Sequence, residues 1–220
     1  MTITEIYGKA SVDDFEKWST YPFDGFETYL TRSDFAEFQD LKTTFRKYKD
    51  DIEVVHTPHV NWPEDKELLQ QSLLLAEVTN AQVCFHSAYI SLLLADLIND
   101  ELTFPTTYGY ESQNGNSYEF IKNTVFNNDL PFVYDLAHFY TGNPKNYLAT
   151  VEDLLSTYNN QITLVHVCDA TLTQDGLPLG KGELPVKETW NLLEQYYTGP
   201  VTLEVMPDYQ LGALEIVDSF

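Results

Sequence analysis

The sequence predicts a single (β/α)8 barrel spanning 1–220, and three observations predict it. Short apolar runs alternate with helix-length amphipathic segments along the whole chain, eight times over, which is the pattern of an α/β fold closing on itself. Several of those runs are apolar at consecutive positions, as strands buried on both faces of a parallel sheet must be. A histidine or carboxylate stands where most of the runs end: His56 and His59, His86, Glu111, Asp135 and His138, His166, and Glu204. Successive positions in the series 56, 86, 111, 135, 166, 204 lie 24 to 38 residues apart. One strand-plus-helix unit needs roughly 30.

The elements follow in order. ITEIYGKA (3–10) reads as the first strand and VDDFEKWSTY (12–21) as its helix. FDGFETYL (23–30) is the second strand, and SDFAEFQDLKTTFRKYKDD (33–51) has helical spacing opened by a Ser33 cap. IEVVHTP is the third strand, followed past Pro63 by the helix EDKELLQQSLLLAEVTN. AQVCFHSA is the fourth, with a short helix over ISLLLADLIND. TYGYES then SYEFIKNTVFNND, PFVYDLAH then YLATVEDLLSTYNN, and ITLVHVCDA then VKETWNLLEQYY make the next three units. PVTLEVMP is the eighth strand and LGALEIVDSF a closing helix. No linker or second domain interrupts the series.

Composition bounds the function. The chain carries 34 acidic against 12 basic residues, a net charge of −22 and a pI near 4.3. The acids are spread along the sequence, as on a heavily solvated surface, and such a field repels polyanions. Arg32 and Arg46 are the only arginines, and the single local basic cluster, Arg46-Lys47-Tyr48-Lys49, runs at once into Asp50 and Asp51 as the end of a surface helix, so no nucleic-acid partner is expected. No apolar run reaches the ~20 residues of a membrane span, and MTITEIYGKA has no hydrophobic signal region. Two cysteines make no disulfide framework. A soluble cytoplasmic protein is expected, with apolar surface near the short helices available for a homodimer.

Glu111, Asp135, His166 and Glu204 end the fifth to eighth strands. Three carboxylates and one imidazole converging at a barrel mouth form a hard oxygen site with one nitrogen, suited to Mn2+, Mg2+, Co2+ or Zn2+. A single divalent ion would offset the cost of gathering those acids. No organic cofactor is expected. Cys84 and Cys168 fall on the inward parity of their strands and read as barrel filling. Trp18 and Trp190 read as core, and Trp62 as a loop aromatic able to stack on a sugar face.

These residues resemble the xylose isomerase-like barrels, which include sugar isomerases, epimerases, keto-sugar dehydratases and abasic-site endonucleases. The resemblance rests on the His56 strand, FHSAY, YGYES, DLAHFY, LVHVCDA, LPLGKGELP and TLEVMP. It implies metal ligation by Glu111, Asp135, His166 and Glu204. It implies proton transfer by Glu111 and Glu204, with His138 contacting substrate or a second metal. His56, His86, Lys181 and Trp62 take auxiliary places, as second-metal ligands or substrate contacts. The activity implied is isomerisation or epimerisation of a sugar, sugar phosphate or keto-polyol through proton abstraction alpha to a carbonyl, with an unphosphorylated substrate favoured by the scarcity of cations. Dehydration, abasic-site hydrolysis and non-catalytic sugar binding are the alternatives. The endonucleases' third metal takes an Asp and a His before the glycine-bracketed loop. TQDGLPLGKG has Gln174 and Gly176 at those places, with Asp175 between them.

Overall fold

In the computed structural model, which describes residues 3–61, 64–85 and 107–220, eight parallel strands close into a barrel in sequence order. They are β1 (Glu5–Ala10), β2 (Gly25–Tyr29), β3 (Ile52–His56), β4 (Gln82–Phe85), β5 (Tyr108–Glu111), β6 (Phe132–Asp135), β7 (Ile162–Val167) and β8 (Pro200–Leu203). The described α-helices are α1 (Phe15–Trp18), α2 (Phe38–Lys47), α3 (Lys66–Thr79), α4 (Tyr118–Thr124), α5 (Leu136–Gly142), α6 (Tyr147–Tyr158), α7 (Val186–Tyr196) and α8 (Gln210–Val217). The expected helix over 90–100, together with His86 and Trp62, lies outside the described residues. None of the described helices is long and apolar enough to cross a membrane.

Strand parity sorts side chains into two environments. Outward positions such as Phe26, Val55, Val83, Tyr110, Phe132, Tyr134, Val165 and Val201 form the main core with the helices. That core holds Trp18 and Trp190 as expected, and α6 feeds it Tyr147, Val151, Leu154 and Leu155 at helical spacing. Inward positions form a small separate cluster of Tyr7, Val54, Cys84, Val133 and Leu164. Gly109 is also needed here, because a Cβ would meet Val133 Cγ2 at 2.8 Å. One step up each strand, at the C-terminal end, the inward positions turn polar: Lys9, Glu27, His56, Glu111, Asp135 and His166. The register sets Lys9 beside Glu27, Tyr29 beside His56, and Asp135 beside His166.

Two local expectations are corrected. The segment before α2 is capped by Thr31 rather than Ser33: Thr31 N–H donates to Asp34 Oδ2 at 2.6 Å, and Asp34 opens a 3-10 turn over Arg32–Glu37. The sixth strand ends at Asp135, and AHFYTG is helical. Asp135 caps α5 by accepting the His138 N–H at 2.6 Å, so the carboxylate that ends the strand also starts the helix.

Candidate metal centre

The polar rim converges at the C-terminal mouth of the barrel, where barrel chemistry is ordinarily housed. His166 stands at its middle, fully buried. Its Nδ1 lies 2.8 Å from Glu111 Oε1, 3.0 Å from Glu204 Oε2 and 3.7 Å from Asp135 Oδ2. Ligand atoms of these four residues come within 4.8 Å of one another. Ligands held about 2.1 Å from one octahedral cation stand about 3.0 Å apart, so two of those separations already match a shared coordination sphere. The residues present fit a divalent cation of oxygen-and-imidazole preference.

The electrostatics follow from burial and proximity. Burial raises the Glu111 carboxyl, but His166 and His56 outweigh it and hold the group well below the carboxylate range. Burial acts likewise on Glu204, where Lys9 and His166 prevail. Asp135 goes the other way: burial, with Glu204 and Glu111 nearby, pushes it up to about 6 despite His138 and His166. Burial would discharge His166, yet Glu27 and Glu204 hold its imidazole protonated well above the ordinary range. Together, four carboxylates (Glu27, Glu111, Asp135 and Glu204) face Lys9 and three imidazoles. The imidazole protons are what an incoming cation would displace.

Beyond the cluster, the other histidines divide. His56 aims Nε2 at Glu111 Oε2, 3.4 Å away, while its Nδ1 stands 3.1 Å from the Thr57 carbonyl. Ring Nδ1 of His138 is 2.7 Å from the Ser112 carbonyl, and its Nε2 is 3.4 Å from Asp175 Oδ2. Burial lowers His138, but Asp135, Asp175 and Glu111 raise it to about 10. His59 is exposed at the rim, where its carbonyl accepts from Arg32 at 2.7 Å. Lys181 is exposed and is not among the residues lining the cavity. Cys84 belongs to the barrel interior and Cys168 to the cavity wall, both as free thiols.

The sequence reading missed two members of the cluster. Lys9 pairs with Glu204 from β1, and Glu27 reaches His166 from β2. Burial pulls Lys9 down, but Glu204 and Glu27 more than offset it and keep the ammonium charged. The signal available was parity: Lys9 is two residues past inward Tyr7, and Glu27 two past Gly25.

Above the cluster lies a cavity of about 860 Å³. Its walls come from the end of β2 (Tyr29) and the segments after β2 (Arg32), β3 (His59), β7 (Asp175, Gly176) and β8 (Met206). The β7 segment is held in place by Asp169, whose carboxylate accepts four backbone N–H groups, from Ala170, Gly180, Gly182 and Leu184, at 2.8 to 3.2 Å.

No protein-family model and no curated protein sequence matches this chain. Solved structures do. A xylose isomerase domain protein from Planctomyces limnophilus matches with a TM-score of 0.69 at 13% identity, over 100% of this chain and 96% of that one. A D-allulose 3-epimerase from Methylomonas sp. matches at 0.69 and 16% identity, over 100% and 99%. Endonuclease IV from Thermus thermophilus matches at 0.68 and 13%, over 98% of both chains. The fold is that of the xylose isomerase-like barrels.

Proposed function

We propose that this chain is a divalent-metal-dependent isomerase or epimerase of a small, unphosphorylated carbohydrate or keto-polyol. Glu111, Asp135, His166 and Glu204 would hold the cation. The observation that carries the reading is the meeting of those four donors beneath a cavity large enough for a sugar, with Glu111, Asp135 and Glu204 on its wall and His166 buried behind them. The fold similarity to an epimerase supports it at the level of fold.

A bound divalent cation would neutralise the charge that develops on a substrate oxygen as the alpha proton leaves. The chain's own groups do the rest. Glu204 is the more open glutamate, its side chain 18% exposed against 1% for Glu111. Lys9 and His166 keep Glu204 anionic, and therefore able to accept a proton. Glu111 approaches His166 Nδ1 from a different strand, so the two glutamates can serve opposite faces of a substrate carbon. A proton taken by one and returned by the other inverts or relocates the centre without net change in composition. His138, on the cavity wall, is assigned to a substrate oxygen.

Two further features favour an uncharged substrate. Among the described residues that line the cavity, Lys9 and Arg32 are the permanent cations. Lys9 is paired with Glu204, and Arg32 with Asp65 at 2.6 Å. A phosphate or a nucleic-acid backbone would have to compete with those acids, and the net charge of −22 opposes its approach. No appreciable binding or incision of abasic duplex DNA at moderate salt is expected, and sub-micromolar binding with strand cleavage would promote the nuclease reading instead.

The test is elemental analysis of the purified protein, followed by proton–deuterium exchange at the alpha carbon of a keto-sugar panel in heavy water. One divalent ion per chain and metal-dependent exchange are expected. A chain that binds no divalent ion even in excess Mn2+ or Zn2+ would be a metal-free binding barrel.

A further inference from the structure

Glu27 is a fully buried carboxylate with no place yet in this chemistry. It sits at the inward position of β2, and neither of its oxygens has a hydrogen-bond donor in line. A bare carboxylate in that setting is costly and calls for a positive or donating partner. The candidate is specific: Oε2 stands 2.9 Å from His166 Nε2, while Oε1 is 4.0 Å from His56 Nε2. The His56 and His166 rings lie nearly parallel, 5.9 Å apart with 24° between planes, so His56 walls one face of the His166 imidazole.

His166 is therefore addressed on both edges. Nδ1 faces Glu111, Glu204 and Asp135, and Nε2 faces Glu27. A neutral imidazole carries one N–H and one lone pair, and the hydrogen bond made by one nitrogen decides which is which. We propose that Glu27 is a positioning residue: it accepts the Nε2 proton of His166 and thereby turns the Nδ1 lone pair toward the metal centre. The inference rests on the metal-site reading above. Carboxylate–histidine–metal relays raise ligand basicity and fix ring orientation, and removing the carboxylate typically lowers metal affinity 10- to 100-fold.

The experiment measures Zn2+ affinity by chelator competition on the wild-type chain, Glu27→Gln and Glu27→Leu, with melting of each metal-free protein alongside. Glu27→Gln keeps an acceptor oxygen and should bind about 10-fold more weakly; Glu27→Leu should bind about 100-fold more weakly. Melting of the metal-free proteins should fall in Glu27→Leu, because the buried His166 imidazolium loses one of its anionic partners. A merely structural glutamate would also lower melting but would leave Zn2+ affinity unchanged, so affinity is the deciding readout. Nitrogen-15 NMR of the Zn2+-loaded wild type should place the His166 proton on Nε2 and the metal on Nδ1. That reading needs no variant, so it decides the matter even if Glu27→Leu does not fold. Metal on Nε2, or variants that bind as tightly as wild type, would overturn the inference alone. A wild type that binds no divalent ion would remove the metal reading and this inference together.

Discussion

Two sets of acids stand at the barrel mouth, and they are solvated in opposite ways. Asp169, just past β7, is 1% exposed and surrounded by backbone: four N–H groups of its own loop point at its two oxygens. Glu111, Asp135 and Glu204 are met by other titratable side chains. Backbone donors cannot give up their protons, so Asp169 is a fixed anion that shapes a loop. Imidazole protons can leave, so the charge balancing the other three is exchangeable for a cation. Asp169, Glu111 and Asp135 are each 1% exposed, so burial does not separate the two sets; their partners do.

Conservative neutralisation of the exchangeable set should give the largest effect. Glu204→Gln keeps volume and an oxygen ligand but loses the base, so alpha-proton exchange should fall roughly 100- to 10,000-fold, with some loss of stability as Lys9 and His166 lose an anionic partner. Wild-type turnover with full metal occupancy would remove Glu204 from the acid–base role.

The fixed set should fail in stability instead. Asp169→Ala strands four backbone donors, two of them buried, and hydrogen bonds to charged groups contribute about 1.5–3 kcal/mol each without adding fully. A loss of about 4 kcal/mol is expected in denaturant unfolding. Gly182→Ala should reproduce part of it, because a Cβ there collides with Asp169 Oδ1 and the Ala170 carbonyl. If Asp169→Ala instead unfolds like wild type and loses only metal, the division between the sets is wrong.

The sequence exposed one set far better than the other. Glu111, Asp135, His166 and Glu204 were legible because each closes an apolar run, and inward parity then carries them to one mouth. Lys9 and Glu27 follow the same parity, but YGKA and FETYL have polar neighbours, Glu5 and Thr28, that blur the two-residue period. Asp169 was illegible for a different reason. Its partners are main-chain groups up to 15 residues away, and only the glycines at 180 and 182 hint at so close an approach. The helix over Leu136–Gly142 was readable from Asp135 as a cap residue, but the apolar DLAHF masked it as strand.

Asp135 sharpens the comparison because it belongs to the exchangeable set and strains the metal-free fold. Its folded pKa, about 6, lies above the ordinary aspartate value of 3.8. A raised folded pKa means stability that is present below about pH 4 and lost as pH climbs through 6. In chelator, Asp135→Asn should escape that loss and exceed wild type by up to about 3 kcal/mol once pH is well above 6. It should also bind metal at least roughly 10-fold more weakly, with a ligand charge gone. Parallel stability curves for the two proteins between pH 4 and 7 would show that Asp135 is already neutralised by its neighbours.

The smallest effect belongs to an acid of neither set. Asp65 meets Arg32 across the rim, with both guanidinium nitrogens 2.6 Å from its oxygens, and Arg32 also reaches the His59 carbonyl. Hydrogen bonding to Arg32 is the main reason Asp65 is depressed to about 2, assisted by the Asn61 N–H against slight desolvation. A depressed folded pKa contributes stability above the ordinary aspartate value and loses it as pH falls through 2, the opposite sign to Asp135. Solvent reaches this pair, since the Arg32 side chain is 52% exposed, and screening leaves exposed ion pairs little net worth. Arg32→Ala should therefore move the Asp65 midpoint in a carbon-13 NMR titration from about 2 towards the ordinary value, while melting at neutral pH barely changes. An Asp65 midpoint that stays near 2 would transfer the credit to the Asn61 N–H. The rim pair would then resemble Asp169, an anion fixed by backbone.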